Sequence, residues 1–397
     1  MRNHRLNRRR FLRWSAMLTA GAPLALAYGK PELLAAESSA ATNSLVRNGS
    51  NPVAKVAIVA CRSYGPAVRE ALAQSFDLLG GIAHLVKAKT VTVKLNLTGT
   101  AFLDFLGRPV GETFMTHYAT VRALTALLFD AGARRVRLVE STQSKAELAA
   151  TLALADWDLR ALAALGRVEF ENTRNLGQGN RYATLQVPFG GYMFSSFELN
   201  HAYAETDVMI SLAKLKNHVT AGVTLSMKNL FGVTPNSLYG DQAGSEDATG
   251  GRGPLHSPRG FERIKLPGLK DGISTTDPTW RVPRVTVDVC AARPIDLAII
   301  DGITAMSGGE GPWCRHAAEL KFTTPGVLIT GLNPVSADAV GAAVMGYANP
   351  RAVRGTKPFE ICDNHLLLAE QAGLGTADLA KIDVRGLSLE KARYPYG

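Results

Sequence analysis

From Val53 onward, short β-branched runs alternate with amphipathic stretches, and this alternation constrains the fold more than any other feature of the chain. Lys55-Val56-Ala57-Ile58-Val59 is followed by a helical pattern from Pro66 to about Leu79, then by Thr90-Val91-Thr92-Val93-Lys94-Leu95. A second helical pattern, with Thr116 as its expected cap, runs from about Tyr118 to Asp130, stops at Gly132 and leads into Val136-Arg137-Leu138-Val139. Strand, helix and strand with short connections make βαβ units, so parallel strands and right-handed crossovers follow. Pro66 suits a first helical turn, where its missing N–H is no loss. Further strands are expected at 168–170, 185–187, 207–212, 296–300 and 326–330, with helices near 336–345 and 359–372. The expected fold is α/β, a mainly parallel, doubly wound sheet forming a single domain over residues 53–397. With 46% hydrophobic residues there is ample core for it. Between Thr234 and Val282 the composition turns to Gly, Pro, Ser, Asp and Thr. A long stretch without a period is uncommon in a compact domain unless it serves function, so 234–282 reads as an insertion or lid beside the site.

The first residues have a different character. Arg8-Arg9-Arg10-Phe11-Leu12 places an arginine pair before an apolar run from Trp14 to Ala27 that is too short for a permanent span, and Ala25-Leu26-Ala27 offers a small-x-small cleavage site. Residues 1–27 are therefore expected to be a twin-arginine signal peptide and 28–52 a linker. The expected partner is the twin-arginine translocation machinery, the expected location periplasmic or otherwise extracytoplasmic, with no stable membrane span once the signal is removed. More than half of the formal net charge of +10 lies in this leader as Arg2, Arg5, Arg8, Arg9, Arg10 and Arg13. The remainder shows no basic stripe with interleaved aromatics, which argues against nucleic acid as a partner. Cys61, Cys290, Cys314 and Cys362 are widely spaced, without the Cys-x-x-Cys that zinc or an iron–sulfur cluster would need locally. An oxidising compartment would permit one or two disulfides, and four buried free thiols are the alternative.

Four polar motifs follow expected strands at their carboxyl ends, where open parallel sheets bind ligands. They are Lys94-Leu95-Asn96, Glu140-Ser141-Thr142, Lys214-Leu215-Lys216-Asn217-His218 and Asp301-Gly302. Lys214, Lys216 and His218 alternate, so an extended backbone would set all three on one face. Lys228-Asn229-Leu230-Phe231-Gly232 adds a further cation. Such a cluster needs compensation, because two unit charges about 6 Å apart repel by roughly 3 kcal/mol at an effective dielectric near 20. The candidate ligand-binding residues are Lys94, Asn96, Lys214, Lys216, His218, Lys228 and Asn229, with an anionic small molecule as the expected ligand. Glu140, Asp301 and His218 are candidates for proton transfer. Glu140, Asp301 and Asp338 are candidates for holding a divalent metal through oxygen. Gly308-Gly309-Glu310-Gly311-Pro312 looks like a phosphate-cradling loop but lacks the Walker lysine. His117, His201, His256 and His316 are too scattered to suggest a metal site.

Together these motifs, with Gly132-Ala133, His256-Ser257, Gly311-Pro312 and Asp338-Ala339-Val340, resemble the domain-of-unknown-function 362 family over about residues 53–350. The paired Lys-x-Lys-x-His and Lys-Asn-Leu-Phe-Gly motifs are its most specific part. Many relatives in that family also carry ferredoxin-like cysteine clusters, which this chain does not. The resemblance implies a shared fold and site location without catalytic roles. Three functions stay open: an enzyme acting on an anionic small molecule, a non-catalytic binding protein for an anion or metal, and an accessory subunit of a redox complex without its own iron–sulfur cluster.

Overall fold

The computed structural model describes residues 53–98, 102–314 and 319–396. The expected signal segment and linker, and His316, lie outside the described residues. In chain order the elements that matter are β1 (Ala54–Ala60), α1 (Pro66–Leu79), β2 (Thr90–Lys94), α2 (Tyr118–Asp130), β3 (Arg135–Glu140), β4 (Val168–Asn172) and β5 (Val208–Lys214). They continue with α3 (Leu225–Leu230), α4 (Pro278–Ala292), β6 (Leu297–Gly302), β7 (Val327–Gly331), α5 (Pro334–Val344), α6 (His365–Gln371) and β8 (Ile382–Gly386).

Local chemistry sets the helix ends. Helix α1 starts at Pro66 and ends on Gly80, whose φ of 97° is left-handed, and it buries Val68, Leu72, Phe76 and Leu79 along one stripe. Helix α2 is capped by His117, whose Nδ1 accepts the Ala119 N–H at 3.0 Å. The expected cap, Thr116, is used elsewhere: its hydroxyl oxygen accepts the Asn96 N–H at 2.6 Å and ties the residue after β2 to the start of α2.

Eight strands form one sheet in the order β8-β1-β7-β6-β5-β2-β3-β4. Every neighbouring pair is parallel except the two made by β7, which runs antiparallel to both β1 and β6. Successive side chains alternate between two cores. Val56, Ile58, Ile300 and Ile329 pack with Val285 and Val289 of α4 and Val340 of α5. Ala57, Val59, Val93 and Ile299 pack on the other face with Leu72 of α1 and Leu124 of α2. Strand β5 is buried at every residue, which explains why it reads as a nearly continuous apolar run.

From β2 the chain winds outward through β3 and β4, then returns to the opposite side of β2 to lay down β5 and β6. The winding reverses between β2 and β5. Such a reversal leaves a crevice outside the strands' carboxyl ends, the usual ligand position in open α/β sheets.

Two expectations need correction. The 185–187 strand belongs to a separate antiparallel ribbon, Tyr182–Gln186 against Ser196–Asn200, because its register pairs it with a neighbouring hairpin strand. The 234–282 segment is not wholly irregular: it holds short helices at Asn236–Tyr239 and Gly253–His256 and the first turn of α4. Of the two readings open for the cysteines, all four are buried free thiols.

Candidate functional site

A cavity of about 670 Å³ opens at the winding reversal, lined by residues that follow β2, β3 and β5 together with α3, the 251–256 segment and the 308–314 loop. Of the residues singled out from sequence, Lys94, Asn96, Glu140, Lys216, His218, Lys228 and Asn229 all line it. Lys94 and Glu140 end neighbouring strands, and their buried side chains pair at 2.6 Å. The Lys94 ammonium also donates to Leu95 O at 2.7 Å, while Glu140 accepts the Leu97 and Ser141 N–H groups. Burial still pushes the Lys94 amine below its ordinary value, against the pull of Glu140. Gly232 makes room for the pair, since a Cβ there would sit 3.0 Å from Lys94 Nζ.

The other two lysines of the cavity differ from each other. Lys216 Nζ donates to Phe114 O at 2.7 Å and Glu310 O at 2.9 Å, so its position is fixed. Lys228 Nζ lies 4.1 Å from the Phe231 ring centroid and, among the described residues, meets neither a hydrogen-bond acceptor nor a carboxylate at ion-pair distance. Burial lowers both amines to about 7, each against the pull of Glu310; Lys228 feels the additional repulsion of Arg252 and Lys94. Burial alone would raise the Glu310 carboxyl, but the His218 imidazole, the Val219 N–H and the Lys216 ammonium bring it down to about 2.

The two imidazoles of the cavity are in opposite tautomers. His218 Nδ1 accepts the Thr220 N–H at 3.2 Å, leaving its proton on Nε2. His256 Nδ1 donates to Arg252 O at 2.8 Å, leaving Nε2 with the lone pair. Burial holds both neutral, His218 well below its usual range and His256 at about 4. Arg252 is spread over Thr234 and Gly232 O, anchoring the insertion to the end of α3. Two amide oxygens, Asn96 Oδ1 and Asn229 Oδ1, are buried with no partner.

Three candidates are not brought to this cavity. Lys214 donates to Tyr64 Oη at 2.8 Å, Gly111 O at 3.1 Å and Thr304 O at 2.7 Å, and lies 3.6 Å from Asp301. Asp301 accepts from Tyr64, Thr120 and the Ile303 N–H, so this buried pair is saturated by its own surroundings. Asp338 accepts the Ser226 and Met227 N–H groups at 2.8 Å each and so caps α3 from the neighbouring α5. The carboxylates of Glu140, Asp301 and Asp338 are thus separately engaged and do not converge. Among the described residues no group of three or more His, Cys, Asp or Glu could hold a metal ion.

The model of the family described as Domain of unknown function (DUF362) matches residues 91–343, the span from β2 to α5 that carries every cavity residue named above. The chain belongs to the DUF362 family. The matched span opens one strand later than the motifs alone suggested. A thylakoid-associated protein of Synechocystis, sll1697, is 29% identical to this DUF362 chain over 325 residues, covering 77% of the chain and 84% of that protein. Among solved structures, the lactate racemase apoprotein from Thermoanaerobacterium thermosaccharolyticum overlaps with a TM-score of 0.35 at 12% identity, over 64% of this chain and 50% of that one. A protein from Thermotoga maritima gives 0.34 at 12% identity, over 78% and 60%. The chain spans between half and three fifths of those two proteins, and superpositions at this level do not inform the chemistry of the cavity.

Arg252, His256 and Glu310 were not among the residues picked as ligand-binding from the sequence of this DUF362 member. Each comes from an irregular segment with no period to mark which side chains turn inward. The His256-Ser257 motif and the Gly-rich run around Glu310 were the available signals, and the latter pointed to phosphate cradling by backbone rather than to a carboxylate.

Proposed function

We propose that this protein binds an anionic small molecule in the cavity at the winding reversal. The observation that carries this reading is Lys228, a buried amine with no acceptor, facing the repulsion of Arg252 and Lys94. Lys94, Lys216, Lys228 and Arg252 outnumber Glu140 and Glu310 there. An anion entering the cavity gains from every one of these fields, and in a partly desolvated site that gain is larger than at a surface. His218 and His256, neutral and in opposite tautomers, supply a proton donor and a proton acceptor for chemistry on such a ligand. Glu140, engaged with Lys94, serves to position that amine, and no metal step is assigned.

We also propose that the protein works outside the cytoplasm after twin-arginine export. The arginine pair at Arg8-Arg9 supports this, and the thylakoid-associated relative is in keeping with it. Among the described residues no helix is long and apolar enough to cross a membrane.

Calorimetric titration with small hydroxycarboxylates and phosphate esters tests the binding reading. At least one should bind, and Lys228→Met should weaken it about tenfold or more, as expected for losing a charge-assisted contact of about 1.5–3 kcal/mol. No binding by any member of either series, or equal binding by the variant, overturns it.

A further inference from the structure

The four cations of the cavity are not equivalent. The N–H groups of Lys94, Lys216 and Arg252 are committed to carbonyl, hydroxyl or carboxylate oxygens of the chain itself. Those acceptors fix the Lys94 and Lys216 amines in place and turn their N–H groups toward the chain itself. Lys228 alone among them has no such acceptor, sits against the face of Phe231, and is fixed at its root in the last turn of α3. Glu310 favours its protonation, while Lys94, Arg252 and Lys216, three cations, oppose it. An amine desolvated beside other cations is the recognised setting for a nucleophilic lysine.

Resting on the anion-binding reading, we propose that Lys228 forms an imine with a carbonyl-bearing anion, of which a 2-oxo acid is the simplest class. In this step the Nζ lone pair makes the nitrogen–carbon bond and the carbonyl oxygen becomes the hydroxyl of a carbinolamine. That hydroxyl leaves as water, taking one proton released by the nitrogen and one from solvent, and the iminium remains. Nothing is oxidised or reduced. The surrounding cations hold the ligand's carboxylate beside the amine.

Burial brings Lys228 to about 7, so near neutral pH about half of it is free amine. An exposed lysine with an ordinary pKa of about 10.4 has on the order of one part in a thousand. The test is reductive trapping of the full chain at neutral pH with pyruvate or glyoxylate and cyanoborohydride, which adds hydride to the iminium carbon and leaves a stable secondary amine. Intact mass followed by peptide mapping should show one dominant adduct on Lys228, formed at least tenfold faster than on any surface lysine. The adduct should be lost in Lys228→Arg, which keeps a cation for the carboxylate, and retained in Lys381→Met, a change at an exposed lysine outside the cavity. Parallel calorimetry with hydroxycarboxylates separates this proposal from the one beneath it. Binding without a Lys228 adduct, or adducts spread evenly over the surface lysines, overturns the imine and leaves the binding reading standing; absence of binding overturns the binding reading.

Discussion

Two buried amines with depressed proton affinity make the stability of this protein rise with pH from neutral into the alkaline range, where a salt-bridged lysine would lose its contribution. Lys216 and Lys228 sit at about 7 in the fold, whereas an unfolded lysine titrates near 10.4. Between these values the unfolded chain holds protons that the folded chain has released, so stability rises with pH across that window. The penalty for burying the two charges is complete below about pH 7 and is relieved above it. Lys228→Met should therefore raise the apo melting temperature at neutral pH, by roughly 1–2 °C for each kcal/mol recovered in a domain of this size, and flatten the alkaline rise. Thermal melts from neutral to alkaline pH check this: an unchanged slope in the variant would mean that Lys228 is not the depressed amine. Much of this residue-level pattern could be read in the sequence, because polar residues interrupting apolar strand ends have few structural uses. What could not be read was the side to which each one turns. Lys214 and Lys216 are two residues apart, yet one is saturated by Tyr64, Thr304 and Asp301 while the other lines the cavity. The strand ends between them, and alternation no longer governs direction.

Among the elements, α3 carries the most functional weight for its length. It holds Lys228 and Asn229 in six residues, too few to be stable alone, and its first residue, Leu225, has a φ of +42°. Asp338 compensates by accepting the two N–H groups at its start from a different helix. Removing that carboxylate in Asp338→Ala should cost about 1–3 kcal/mol, the range for stranding buried donors. It should also weaken anion binding, although Asp338 does not line the cavity. Denaturant melts paired with calorimetry measure both effects, and full affinity in a destabilised variant would mean that α3 does not depend on its cap to place Lys228. Element boundaries were legible where punctuation is strong: α1 and α2 have the expected limits because Pro66, Gly80 and Gly132 mark their ends. Helix α4 was not anticipated, even though Asp277-Pro278 is a sound start signal with Asp277 accepting the Thr279 N–H. Internal Pro283 and the β-branched residues from Val285 to Val289 speak locally against a helix, and burial against α3 and the sheet overrides them.

For the molecule as a whole, the arginine pair is the feature with the clearest outcome. Arg8→Lys with Arg9→Lys keeps the charge and removes the guanidinium pair, so it should abolish export while leaving the fold intact. Cell fractionation decides this, and processed protein accumulating undiminished outside the cytoplasm would remove the twin-arginine assignment. The sheet adds a constraint on timing. Strand β1 is the first to be synthesised, yet both of its neighbours, β7 and β8, come from the last part of the chain. At about 5–20 residues per second, tens of seconds separate the emergence of β1 from that of its partners. Throughout that interval β1 is a nascent apolar strand with both hydrogen-bonding edges open, the kind of segment that recruits wrong partners. A chaperone that shields the amino-terminal region during synthesis would therefore protect the arginine pair and the first strand together, and would let go only when β8 arrives to close the sheet.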